Sequence, residues 1–218
     1  MKTATLLPSN TTLRINNIYC VGKNYADHAK EMGGDIPKEP IIFLKPTSAV
    51  IQNGEPIVIP DYSRNVHHEI ELTVLIGKKG KHIPRIEAMT YVAGYGVGLD
   101  MTMRDRQTEA KKAGNPWAIA KGFDTSAPLS PFVSASSVQD PHNLEIRLTV
   151  NGNERQHSNT RHMIFRIDVL IEFLSSLFTL EEGDVIYTGT PEGVGQVVSG
   201  DVLIGEIPGI GKIQHTVR

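Results

Sequence analysis

Apolar residues come mostly in short runs broken by glycine, proline and asparagine, and few stretches keep the 3.6-residue rhythm of a helix. Strands are predicted at Ile15 to Val21, Ile41 to Leu44, Ile57 to Ile59, His67 to Ile76 and Tyr91 to Leu99. Further strands are predicted at Leu144 to Val150, Glu154 to Ser158, Val185 to Tyr187, Val202 to Ile204 and Lys212 to Val217. Asn53-Gly54 and Asn151-Gly152 lie between such runs and predict two hairpins, since both residue types accept positive φ. Helices are predicted at Tyr25 to Met32, capped by Asn24 and stopped by Gly33-Gly34, and at Ile86 to Met89 behind Pro84. Two more run from Met101 to Lys112, ended by Gly114, and from Val169 to Phe178, capped by Asp168. The last is the most apolar and belongs inside the fold. Residues 128–140 are rich in serine and proline and read as irregular. Gly94, Gly96 and Gly98 leave one strand face bare, open to close approach by a backbone or a ligand. The second half, mostly short strands and regular turns, predicts a rolled or barrel-like sheet.

A chain of 218 residues makes one large domain or two small ones. The net charge of -2 exerts no long-range pull on nucleic acid or anionic lipid. Cys20 is the only cysteine, so no intrachain disulfide forms, and a buried structural thiol is expected. No apolar run reaches membrane-spanning length, and the first residues lack the apolar core of a secretory signal, so the expected compartment is the cytoplasm. The glycines lack both the G-x-G-x-x-G spacing and the Gly-Lys-Ser/Thr of a P-loop, which argues against nucleotides.

The chemistry centres on the acidic strand. Glu69 and Glu71 are two apart, so their side chains share a face. Two like charges so placed are costly to bury unpaired. A third carboxylate, Asp100, ends the next apolar run. Three oxygen donors on two strands suit a hard divalent cation such as Mg²⁺. The spacing leaves a second reading open: a solvent-facing acidic edge, or glutamates paired with Arg64 and Lys121. His28 and Glu31 stand at i,i+3 on one helix, where a carboxylate orients an imidazole as a base; Asp27 is the weaker partner. Lys45 and Lys121 each follow an apolar run, and Arg104 and Gln107 share a helix face. The loop Thr188 to Gly195 can offer backbone N–H groups to a carboxylate.

Six blocks in this order, V-G-K-N-Y-A-D-H, F-L-K-P, H-H-E-I-E-L, L-D-M-T-M-R-D, A-K-G-F-D and T-G-T-P-E-G-V-G, cover nearly the whole chain. In them the sequence closely resembles the fumarylacetoacetate hydrolase superfamily, in its small single-domain branch of acylpyruvase and oxaloacetate decarboxylase type. The resemblance implies one catalytic domain over residues 1–218, a mainly β (α+β) roll of several short sheets with a few peripheral helices, and a homodimer. It implies Glu69, Glu71 and Asp100 as ligands of Mg²⁺, with Mn²⁺ or Ca²⁺ in some members. It implies His28 and Glu31 as the base pair, on a mobile lid, and Lys121 as a catalytic contact. It implies Lys45, Arg104, Gln107 and Thr190 as substrate contacts, with Thr190 on the loop that holds the substrate carboxylate. The expected substrate is a small 2-oxo acid. Acylpyruvate hydrolysis through a pyruvate enolate stands first, because the His28–Glu31 pair would be redundant for simple decarboxylation. Oxaloacetate decarboxylation or tautomerisation, isomerisation of a 2-hydroxyhepta-2,4-diene-1,7-dioate, and a non-catalytic dicarboxylate-binding protein are the alternatives.

Overall fold

The structure, a computed structural model, describes residues 1–218 except Met32 and Gly34. Its strands in chain order are β1 Thr3–Leu7, β2 Thr11–Arg14, β3 Ile18–Gly22, β4 Ile41–Lys45, β5 Val50–Gln52, β6 Val66–His68, β7 Ile70–Ile76, β8 Val92–Leu99 and β9 Thr102–Met103. They continue with β10 Ala127–Leu129, β11 Phe132–Ser134, β12 Glu145–Val150, β13 Asn153–Asn159, β14 Val185–Tyr187, β15 Gly195–Gln196, β16 Val202–Ile207 and β17 Gly211–Thr216. The helices are α1 Ala26–Glu31, α2 Arg85–Ala88, α3 Arg104–Ala113, α4 Ala118–Lys121 and α5 Ile167–Leu177. No helix among the described residues is long and apolar enough to cross a membrane.

A ten-stranded sheet runs β2-β1-β11-β8-β7-β14-β3-β4, with β10 joining β8 and β5 beside it. A four-stranded sheet, β13-β12-β16-β17, and a three-stranded sheet, β15-β6-β9, complete the mainly β architecture, in which the large sheet curls into a half-barrel. Its centre is β7 against β8, in antiparallel register from Ile70↔Leu99 to Ile76↔Val92. Every residue of β7 is buried, so the strand reads as a nearly continuous apolar run interrupted by Glu71 and Thr73. The bare face of β8 is covered by protein: a Cβ on Gly94 would lie 2.5 Å from the Val133 carbonyl oxygen, and one on Gly98 2.5 Å from the Tyr187 ring. Cys20 is buried and free.

Several expected elements change under tertiary constraint. The acidic strand is two strands: it breaks at Glu69, where the chain passes from the three-stranded sheet into the large one. Asn53-Gly54 turns the chain without forming a hairpin, because Ile57 bridges Val217 instead of β5. The helix expected from Met101 starts at Arg104, after Thr102 and Met103 pair with β6. Residues 128–140 are not all irregular, since β10 and β11 extend the large sheet through them. Arg166, not Asp168, occupies the N-cap position of α5, with no side-chain capping bond, and the Asp168 carboxylate accepts from Arg85 Nε at 2.7 Å. One side of α5 is exposed, with Leu177 at 54 %, so the helix lies on the core rather than within it. Asn24 does not cap α1; its side chain bonds Phe165 and the Thr188 carbonyl. Met32, expected at the end of that helix, and Gly34 lie outside the described residues. The Asn151-Gly152 hairpin forms as expected, with positive φ at both positions.

Candidate active site

Glu69, Glu71 and Asp100 converge. Glu69 lies in the break between β6 and β7, Glu71 lies on β7, and Asp100 follows β8. The Asp100 N–H donates to the Glu69 carbonyl at 2.8 Å, which locks the end of β8 to that break. All three carboxylates are buried, and each offers an oxygen within 4.8 Å of the other two. An octahedral cation with oxygens at about 2.1 Å needs neighbouring ligands roughly 3–4 Å apart. Modest closure of the triad meets that.

The ion-pair reading of the acidic strand holds for Glu69 and not for Glu71. Glu69 is paired with Arg104, and with Lys121 at 2.8 Å; Arg104 stands where Arg64 was expected. Lys121 Nζ also reaches Asp100 at 2.5 Å and Thr102 Oγ1 at 2.6 Å. Burial alone would raise the Glu69 carboxyl, but Lys121 and Arg104 hold it well below the usual range. Among the described residues Glu71 has no cationic partner and accepts only the Gly189 N–H, at 2.6 Å. Burial, then Asp100 and Glu69, push its carboxyl well above the usual range. Such a carboxyl holds a proton unless another cation replaces it. Three hard oxygen donors with one starved of positive charge fit a divalent cation.

A cleft is lined by His28, Glu69, Glu71, Asp100, Arg104, Gln107, Lys121 and Thr190, so eight of the ten predicted site residues share it. Arg104 and Gln107 stand one turn apart on α3, and Arg104 Nη1 donates to Gln107 Oε1 at 2.6 Å. The other two predicted residues stand behind the wall. Lys45 is buried 2.8 Å from Asp100 Oδ1, and its ammonium also donates to Ser126 Oγ at 3.1 Å and to the Met101 and Lys121 carbonyls. Its position is that of a counter-ion to Asp100 and a tether for α4. Glu31 is behind His28: its Oε2 lies 3.1 Å from His28 Nδ1, and its carboxylate also accepts the Gly193 N–H at 3.1 Å. A carboxylate only accepts, so the imidazole proton sits on Nδ1 and the lone pair on Nε2.

The glycine-rich loop therefore offers backbone N–H groups to two of the protein's own carboxylates, Glu71 and Glu31. Gln156, on β13, fixes the same loop and escapes the sequence. It is buried; its Nε2 donates to Thr190 Oγ1 at 2.8 Å and the Pro191 carbonyl at 2.9 Å. Its Oε1 accepts the Ile70 N–H at 3.0 Å and lies 3.1 Å from His68 Nδ1. One amide thus joins the glycine-rich loop to the strand break that carries Glu69. Because Thr190 Oγ1 accepts from Gln156, its own hydroxyl proton is free to donate into the cleft. In sequence Gln156 is one polar residue on a polar return strand, with partners 34 and 86 residues away. Lys23, Lys111 and Trp117, also on the cleft wall, were likewise not singled out.

Comparison with known proteins finds relatives over nearly the whole chain. The chain is 50 % identical over 202 residues to the mitochondrial oxaloacetate tautomerase FAHD1 of Mus musculus, covering 93 % of this chain and 91 % of the relative. It superposes with a TM-score of 0.95 and 42 % identity on fumarylpyruvate hydrolase from Pseudomonas aeruginosa, whose crystal holds Mn²⁺ and pyruvate, covering 99 % of this chain and 95 % of the other. It is also similar to 5-carboxymethyl-2-hydroxymuconate delta-isomerase from Mycobacterium smegmatis, with a TM-score of 0.83, 43 % identity and coverage of 93 % and 78 %. Residues 17–218 match the model of the fumarylacetoacetate (FAA) hydrolase C-terminal family. The chain belongs to the fumarylacetoacetate hydrolase family, a family of enzymes.

Proposed function

We propose that this chain is a divalent-metal-dependent enzyme that interconverts a 2-oxo acid and its enol, with oxaloacetate keto–enol tautomerisation as its first reaction. The observation that carries this reading is His28 beside the carboxylate triad, its Nδ1 tied to Glu31 and its Nε2 left for the substrate. The identity to oxaloacetate tautomerases supports placing that reaction ahead of acylpyruvate hydrolysis. Hydrolysis stays as the second reading, supported by the structural neighbour with Mn²⁺ and pyruvate.

Glu69, Glu71 and Asp100 would hold the cation, Mg²⁺ in our reading, which would supply positive charge where the enolate oxygen becomes negative. Thr190 donates to the C1 carboxylate from a hydroxyl that Gln156 has oriented. Lys121 adds positive charge at the same end. His28 Nε2 takes a proton from C3, Glu31 stabilises the imidazolium, and the proton returns to the C2 oxygen. In hydrolysis His28 takes a proton from water instead; the hydroxyl adds to C4, the C3–C4 bond breaks toward C3, and His28 protonates C3.

The test is turnover by purified protein with EDTA or with Mg²⁺, following the enol absorbance of oxaloacetate and pyruvate release from acetylpyruvate. Turnover is expected only with metal. His28→Ala should lower kcat for tautomerisation and hydrolysis by about 10²–10⁴-fold, leave decarboxylation much less affected, and keep calorimetric metal affinity. Full-rate turnover by metal-stripped protein, or equal losses in all three reactions, would refute the assignment.

A further inference from the structure

In the buried part of the site each cation has a carboxylate: Arg104 meets Glu69, Lys45 meets Asp100, and Lys121 meets both. The cleft mouth differs. Lys23 and Lys111 also line the cleft and take part in no ion pair among the described residues. Arg104, Gln107 and Lys111 fall at i, i+3 and i+7, on one face of α3, so the helix leads from the triad outward. Lys111 Nζ lies 5.2 Å from the centroid of the Trp117 ring, which holds the flexible side chain against the cleft wall. Lys23 adopts φ +57°, a left-handed conformation that a lysine rarely takes. Deeper in, Arg104 is only 8 % exposed, and its Nε is buried without a hydrogen-bond partner among the described residues. Partial burial and the nearby Arg104, Lys23 and Lys121 charges lower the Lys111 ammonium below its ordinary value.

Uncompensated cations crowded into a cleft await an anion. We infer that Lys23 and Lys111 form a clamp for a second carboxylate, so the site selects dicarboxylic 2-oxo acids over monocarboxylic ones. A bound dication would add further positive charge to this cleft, so a dianionic substrate offsets more of it than a monoanionic one. This rests on the proposed function and specifies its substrate class.

The test compares kcat/KM for tautomerisation of oxaloacetate and of its C4 monomethyl ester, which lacks the second charge. Lys111→Met and Lys23→Met keep the side-chain stems. Each is expected to lower kcat/KM for oxaloacetate about tenfold, the scale of one charge-assisted hydrogen bond, and to leave the ester nearly unchanged. Lys111→Arg should retain the preference for oxaloacetate. Wild-type protein that turns over both compounds, with variants losing equally on both or on neither, overturns the clamp alone. Wild-type protein inactive on both overturns the functional reading and the clamp with it. Unchanged metal affinity by calorimetry identifies the variants as folded, so a selective loss is attributable to the missing charge.

Discussion

Glu69 and Glu71 are the same residue type, two positions apart and equally buried, yet their surroundings push them in opposite directions. Glu69 has two cations and stays ionised; Glu71 has a single N–H and two like charges. Their substitutions should therefore differ in sign. Glu71→Gln removes the cost of protonating this carboxyl on folding, so the metal-free protein should unfold at a higher temperature while its metal-induced rise in Tm disappears. Glu69→Ala leaves Arg104 without a carboxylate among the described residues and Lys121 with Asp100 alone, and should cost about 3 kcal/mol or more. Calorimetric melting with EDTA and with Mg²⁺ separates the two. A Glu71→Gln variant that melts earlier without metal would contradict this account. The sequence revealed that these carboxylates share a face, because alternation along a strand is local. It could not say which would be paired, since Arg104 and Lys121 arrive from other elements.

At the level of elements, β8 shows why a bare strand face matters. Its glycines allow Leu6, Phe132 and Tyr187 to pack against the backbone opposite β7, which keeps the triad-bearing strands at the centre of the large sheet. A side chain at Gly94 would meet a backbone oxygen, which cannot rotate away. Gly94→Ala should therefore lose about 1–3 kcal/mol by urea denaturation; a loss below about 0.5 kcal/mol, ordinary for a surface change, would show that the neighbouring strand yields. The same element scale explains the altered boundaries. The acidic run looks continuous in sequence because alternation continues through Glu69, while the break comes from a change of sheet partner. Thr102 and Met103 suit a helix by composition, but β6 claims them first.

Over the whole molecule, four histidines make stability depend on pH. Burial, then Arg104, pushes His67 down to about 4, and burial also lowers His68, His142 and His215. The folded chain keeps them neutral, while the unfolded chain binds protons below about pH 6.5. Stability is therefore fully present above that value and falls as pH drops toward the folded values. Glu71 opposes this trend, so the measurement belongs on metal-free Glu71→Gln. Its urea midpoint should be lower at about pH 5.5 than at about pH 7.5; equal midpoints would mean that the histidines titrate normally. Local order in the sequence determined the short strands, the Asn151-Gly152 hairpin, the His28–Glu31 spacing and the six blocks that place the chain in its family. These depend on neighbours in the chain. The tertiary structure alone decided that eight predicted residues share one cleft, that Lys45 and Glu31 work from behind it, and that Gln156 ties the loop to the strand break. Those contacts join residues far apart in the chain, and charge balance in a buried site becomes defined only once such groups are brought together.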